Sequence, residues 1–148
     1  MRLTDMYMLD TNIFIFAMRH PDTPCVHTVA SHAGIDICIS VITYAELEYG
    51  IQNIRNPERN REAINRMLAG IPILPFDISA GKHFGDIPAK SKGINGQDHD
   101  KMIAAHCRSL GYTLVTDNMK DFQYIDALEL TTWRTPGDIS FSPNNHRF

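Results

Sequence analysis

The chain has 148 residues, 43% of them hydrophobic and 21% charged, with a formal net charge of −3. That length suits one domain with one core, large enough to hold together without staples. The composition is that of an ordinary globular protein rather than a disordered one, no apolar run approaches the ~18 residues of a membrane span, and the slight acidic balance excludes a broad basic face for nucleic acid.

In chain order, Tyr7–Leu9 reads as a short buried strand. Thr11 is placed to cap a helix over Asn12–Arg19, which Pro21 stops. Asp22 or Thr23 starts a second helix over Pro24–His32, ended by Gly34, and Asp36–Ile39 is a second strand. Ser40 caps a helix over Val41–Ile51. Pro57 opens a helix through Glu58–Ala69, with Gly70 in the position just past its end. Ile71–Phe76 is a third strand, and its flanking prolines mark it as short or at a sheet edge. Ser79–Lys92 is helical, with Gly93 as its cap. Asp98–Leu110 is the most helix-like stretch and Gly111 closes it. Thr113–Thr116 is a fourth strand and Leu128–Thr131 a fifth. Strands alternating with helices specify an α/β fold with a short, mostly parallel central sheet and helices on both faces. Arg134–Phe148, rich in Pro, Gly, Asn and Ser, reads as an extended tail.

Cys25, Cys38 and Cys107 form no CxxC pair. Cys38 and Cys107 lie in apolar segments as small core residues. Together with the absence of a charged-then-apolar leader, which Asp5 and Asp10 interrupt, they point to a reducing cytoplasm.

Five carboxylates carry the chemistry. Asp10 closes the first strand, Glu46 lies one turn into the helix opened by Ser40, Asp98 and Asp100 begin the Asp98–Leu110 helix, and Asp117 follows the fourth strand. Sites on parallel sheets lie beyond the carboxyl ends of the strands, where Asp10 and Asp117 fall. Carboxylates gathered there repel one another unless a cation sits among them, and an oxygen-only donor set suits Mg²⁺ or Mn²⁺. Each acid also has an ordinary reading: Asp10 and Asp117 as turn residues, Glu46 as a surface charge, Asp98 and Asp100 as dipole-complementing residues of a first helical turn. Thr43 shares the helix face of Glu46, whereas Glu48 points elsewhere, into solvent. Setting aside five of the 17 acidic residues leaves 12 against 14 Lys and Arg, a balance of +2, so contact with RNA is expected to be local. Lys101, Arg108 and Lys120 are candidates for it. Cys25, His27 and His32 match no standard zinc spacing. His106 among alanines reads as a hydrogen-bonded core histidine. No Ser-His-Asp elbow or glycine-rich phosphate loop is present.

The segments MLDTNIFIF, ISVITYAELEYG, GQDHDKMIAAHCRSLGYTLVTDNMKDF and ALELTTW, in that order from Met6 to Trp133, resemble the PIN-domain ribonucleases, in particular the VapC-type toxins of bacterial toxin–antitoxin modules. The resemblance implies a PIN-like nuclease domain over residues 1–133, with 134–148 as the tail. It implies that Asp10, Glu46 and Asp100 bind Mg²⁺ or Mn²⁺, with Asp98 or Asp117 as the auxiliary acid. Asp100 is preferred to Asp98 because it stands three residues before IAAH. Thr11, Asn12, Thr43 and Thr116 are expected to support the ligands. The implied reaction is hydrolysis of a structured RNA, such as a tRNA or ribosomal RNA loop, by metal-activated water. The implied partners are a VapB-type antitoxin whose C-terminal segment blocks the cleft and a second copy of the chain in a homodimer. Ile13–Ile15 and the helix Ile42–Ile51 are expected to supply apolar surface to the antitoxin. Two alternatives stand beside this reading: a non-catalytic RNA- or protein-binding module that keeps the fold, and a metal-dependent DNA nuclease or phosphatase.

Overall fold

A computed structural model describes residues 5–89 and 98–135, apart from the side chain of Asp98. Five strands form one parallel sheet: β1 (Tyr7–Leu9), β2 (Ile37–Ser40), β3 (Ile73–Leu74), β4 (Thr113–Val115) and β5 (Glu129–Thr131). Their order is β3-β2-β1-β4-β5. Tyr7 pairs with Ile37 on one side and Thr113 on the other, and Val115 pairs with Thr131. The chain winds outward from β1 through β2 to β3, and β4 and β5 occupy the other side. The winding direction therefore reverses between β1 and β4, which is where a doubly wound sheet opens a crevice at its carboxyl edge.

The period-2 alternation of the strands divides the core into two layers. Leu9, Ile37, Ile39 and Val115 pack with Ile13, Phe14, Val29, Leu47, Ile51 and Ile64. These come from α1 (Thr11–Arg19), α2 (Pro24–His32), α3 (Val41–Gln52) and α4 (Pro57–Leu68). Met8, Cys38 and Leu114 face the other way, onto Ile103, Ala104, Ala105 and Cys107 of α6 (Asp98–Leu110). Ala104 and Ala105 are fully buried, and their small side chains let α6 lie close against the sheet. α5 (Ile78–Asp86) packs beside α6. All three cysteines are buried and none forms a disulfide.

Several expected boundaries shift for identifiable reasons. α1 is capped by Asp10, whose carboxylate accepts the Ile13 N–H at 2.8 Å; Thr11 is the first helical residue. The expected strand Ile71–Phe76 contracts to Ile73–Leu74 at the sheet edge, because Pro72 and Pro75 bracket it without N–H donors. α5 stops at Asp86 rather than running on to Lys92, since Ile87 precedes Pro88 and is held extended at ψ 124°; Gly93, its expected cap, lies outside the described residues. A 3-10 turn over Met119–Asp121 was not foreseen. Gly111, at φ +70°, provides the left-handed residue between α6 and β4. Gly70 is required by close approach: a Cβ there would meet Ala33 Cβ at 3.2 Å, and its carbonyl accepts the Gly34 N–H at 2.7 Å.

His106 is a core histidine. It is buried, its Nδ1 lies 2.8 Å from Ser40 Oγ, and burial lowers its pKa. Ser40 also accepts the Ile42 N–H at 3.1 Å as the N-cap of α3, so one buried pair fixes α6 to the start of α3. Arg108 is committed to structure rather than to phosphate. It donates to His83 Nδ1 at 2.8 Å, to the Asp126 carbonyl at 3.1 Å and to Asp86 at 2.8 Å. Lys101 lies with its Nζ 4.3 Å from the centre of the Phe84 ring. Glu48 is not simply solvated: it pairs with both terminal nitrogens of Arg61, one at 2.7 Å, and so joins α3 to α4. No described helix is long and apolar enough to cross a membrane.

Candidate metal centre at the carboxyl edge of the sheet

The reversal between β1 and β4 places Asp10 and Thr116–Asp117 side by side. The Asp10 N–H donates to the Val115 carbonyl at 3.0 Å, and the Thr116 N–H to Thr131 at 2.9 Å, so the sheet ladder itself positions both strand ends. Asp10 is only 4% exposed. Burial, above all, pushes its pKa up to about 7. Hydrogen bonds from Thr116 and from the Ile13 N–H oppose this, and the charges of Asp117 and Asp100 add to it. Thr116 Oγ1 accepts the Asn118 N–H at 3.0 Å, which leaves its own proton for Asp10.

Glu46 enters from α3. Its pKa is raised, first by burial and then by Asp100; Thr11 and His99 oppose the shift. The Thr11 hydroxyl donates to Glu46 Oε1 at 2.8 Å and lies 3.1 Å from the Thr43 hydroxyl. A hydroxyl has one proton, so Thr43 supplies the proton of that second contact. Thr43 is fully buried, which makes Thr43–Thr11–Glu46 a chain anchored in the core. His99 Nδ1 stands 3.9 Å from Glu46 Oε2 on the exposed first turn of α6. Asp100, half-buried on the same turn, acts on both Asp10 and Glu46.

Four of the five expected acids thus lie toward the carboxyl edge of the sheet: Asp100 acts on both Asp10 and Glu46, and Asp117 acts on Asp10. The fifth, Asp98, begins α6 but its side chain lies outside the described residues. Of the expected supporting groups, Thr11, Thr43 and Thr116 hold the acids as described, and Asn12 occupies a half-buried position in the first turn of α1. Among the described residues no three His, Cys, Asp or Glu side chains stand together as a finished cation cage. By donor chemistry Asp10, Glu46 and Asp100 are the oxygens a hard cation could recruit.

Sequence reasoning missed Arg134, assigned to the tail. Its Nη1 donates to Asp117 Oδ2 at 2.9 Å, with the two side chains 10% and 7% exposed, and its guanidinium lies 4.2 Å over the Phe16 ring. The available signal was a lone cation just past the fifth strand, at the sheet edge where Asp117 leaves the fourth. The surface expected to face an antitoxin also needs correction. Ile13, Phe14 and Ile15 are core residues, and of the apolar side chains on α3 it is Tyr49, 74% exposed, that stands out in solvent.

The family profile described as PIN domain matches residues 7–128. This chain belongs to the PIN-domain family. Within that family it groups with the VapC proteins. It is 37% identical to ribonuclease VapC2 of Haemophilus influenzae over 129 residues, covering 86% of this chain and 97% of that protein. It is 35% identical, with the same coverage, to the tRNA(fMet)-specific endonuclease VapC of Shigella flexneri. The fold superimposes on that of the DNA-bound VapBC complex from Salmonella typhimurium with a TM-score of 0.79, at 32% identity, covering 88% of this chain and all of that one. The PIN-like sheet expected from sequence is therefore the fold observed.

Proposed function

We propose that this protein is an Mg²⁺- or Mn²⁺-dependent endoribonuclease and the toxin of a toxin–antitoxin pair. The observation that carries the reading is the set of three acids, Asp10, Glu46 and Asp100, drawn from three different elements to the reversal point of the sheet. Asp100 raises the affinity of both Asp10 and Glu46 for positive charge. The donor set fits a hard divalent cation: oxygen-only, anionic, and partly stripped of water. A bound ion supplies an activated water and charge stabilisation at the phosphate. The chain's own groups do the rest. The Ile13 N–H and Thr116 hydroxyl fix the Asp10 carboxylate. The Thr43–Thr11 chain fixes Glu46. Burial of Asp10 strengthens the charge interactions that this acid makes.

The relatives named as ribonucleases and as a tRNA-specific endonuclease support a structured RNA as the substrate class. The VapBC complex among the structural neighbours supports a VapB-type antitoxin as partner. A homodimer and residence in the cytoplasm complete the proposal. The test is cleavage of matched RNA and DNA oligonucleotides with and without EDTA. Metal-dependent RNA cleavage that Asp100→Ala abolishes supports the reading. DNA cleavage at equal rate, or RNA cleavage untouched by EDTA, contradicts it.

A further inference from the structure

Arg134 is a cation held at the back of the acidic crevice from two sides. Its guanidinium bonds Asp117, just beyond β4, and lies over Phe16 of α1, the helix that Asp10 caps. Both partners of the ion pair are nearly inaccessible. A buried pair of this kind differs from a solvated surface contact, because removing either member strands the other charge away from water. Asp117 is itself fixed by its turn, in which the Asn118 N–H bonds the Thr116 hydroxyl.

Building on the metal-centre reading above, we propose that Arg134 is a positioning residue that withdraws Asp117 from the cation-binding set. It satisfies the charge of Asp117 internally, so that a divalent ion is held by Asp10, Glu46 and Asp100 and not by Asp117. With Asp117 paired to Arg134, the charge it adds beside Asp10 is offset from within the fold. The first residue past Trp133 is then part of the nuclease site and not of a dispensable tail.

The experiment is Mn²⁺ binding to the full-length protein, read by calorimetry or electron paramagnetic resonance, with folding checked by circular dichroism. Wild type, Asp100→Asn, Asp117→Asn, Arg134→Gln and the double variant Asp117→Asn/Arg134→Gln are compared. Arg134→Gln adds net negative charge and should tighten Mn²⁺ binding by about fivefold or more, the scale of one unit charge acting on a divalent ion across a few ångströms of partly aqueous medium. Asp117→Asn leaves Arg134 uncompensated and should weaken binding by a similar factor. The double variant removes the pair as a neutral unit and should return to within about twofold of wild type. It also retains the test if Arg134→Gln alone does not fold. A double variant that binds as weakly as Asp117→Asn would identify Asp117 as a ligand and overturn the role of Arg134. A wild-type protein that binds no Mn²⁺, with Asp100→Asn indistinguishable from it, would overturn the metal centre itself.

Discussion

Asp10→Asn should stabilise the metal-free protein, and only above the acid range. Asp10 titrates near 7 in the folded chain against 3.8 for an ordinary aspartate. Between those two values the folded state holds a proton that the unfolded chain has released, so stability falls as pH rises from about 4 to 7 and then levels off. A difference of that size corresponds to about 4 kcal/mol at pH 8. Asparagine removes the buried charge and still caps α1, because its side-chain oxygen can accept the Ile13 N–H as aspartate does. Allowing for relaxation of the crevice, the expected gain at pH 8 in EDTA is roughly 2–4 kcal/mol, or about 4–15 °C in Tm for a chain of this size. At pH 4 the variant and wild type should unfold alike. The assay is urea unfolding at the two pH values with and without Mg²⁺. The cation should stabilise wild type and leave the variant nearly unchanged. A variant less stable than wild type at pH 8, or a difference that does not vary with pH, would refute the argument that Asp10 is an electrostatically strained acid.

Other outcomes follow from the same geometry. Asp100→Ala should lower RNA cleavage by orders of magnitude while the circular dichroism spectrum persists, as checked in a single-turnover assay. Glu46→Gln should weaken Mn²⁺ binding and cleavage strongly. Glu48→Gln, which loosens contacts with Arg61 and Tyr44 away from the acids, should leave cleavage unchanged; equal losses in the two variants would refute the inward placement of Glu46. Ala127, at φ +62°, holds a left-handed conformation that favours glycine, so Ala127→Gly should raise stability by about 1 kcal/mol in denaturant titration.

Much of the fold is legible in the sequence because local signals agree. Pro24 at a first helical turn and the periodic stretch before Gly111 give α2 and α6 their observed limits, and the short apolar runs Tyr7–Leu9 and Thr113–Val115 are strands. Where two local signals compete, reading fails by small amounts. Asp10 and Thr11 are adjacent and both able to cap, and only the strand's end decides between them. Pro72 and Pro75 allow a strand but shorten it. Pairings across the chain leave no local trace. Arg108 with His83 and Asp86, Arg61 with Glu48, and Arg134 with Asp117 join residues 13 to 25 positions apart, so a side chain that looks like a free surface cation turns out to be structural. The same limit hides the fate of apolar residues. Ile13–Ile15 read as surface for a partner, yet α1 is buried on nearly every side. The acids were legible because strand ends and helix starts mark one edge of a parallel sheet, whatever the distance between them in sequence.

The central claim, a metal-dependent ribonuclease centred on Asp10, Glu46 and Asp100, is tested most directly by sequencing RNA 5′ ends after brief expression in a bacterial host. Wild type, Asp10→Ala and Asp100→Ala are compared, and the same RNA is treated in vitro with purified protein in Mg²⁺ or EDTA. The account predicts new 5′ ends at a few discrete positions in structured RNA, reproduced by the purified protein in Mg²⁺. They should vanish in EDTA and in both variants. New ends that persist in EDTA or with Asp10→Ala, or a folded protein that cuts no RNA under any divalent cation, would contradict it.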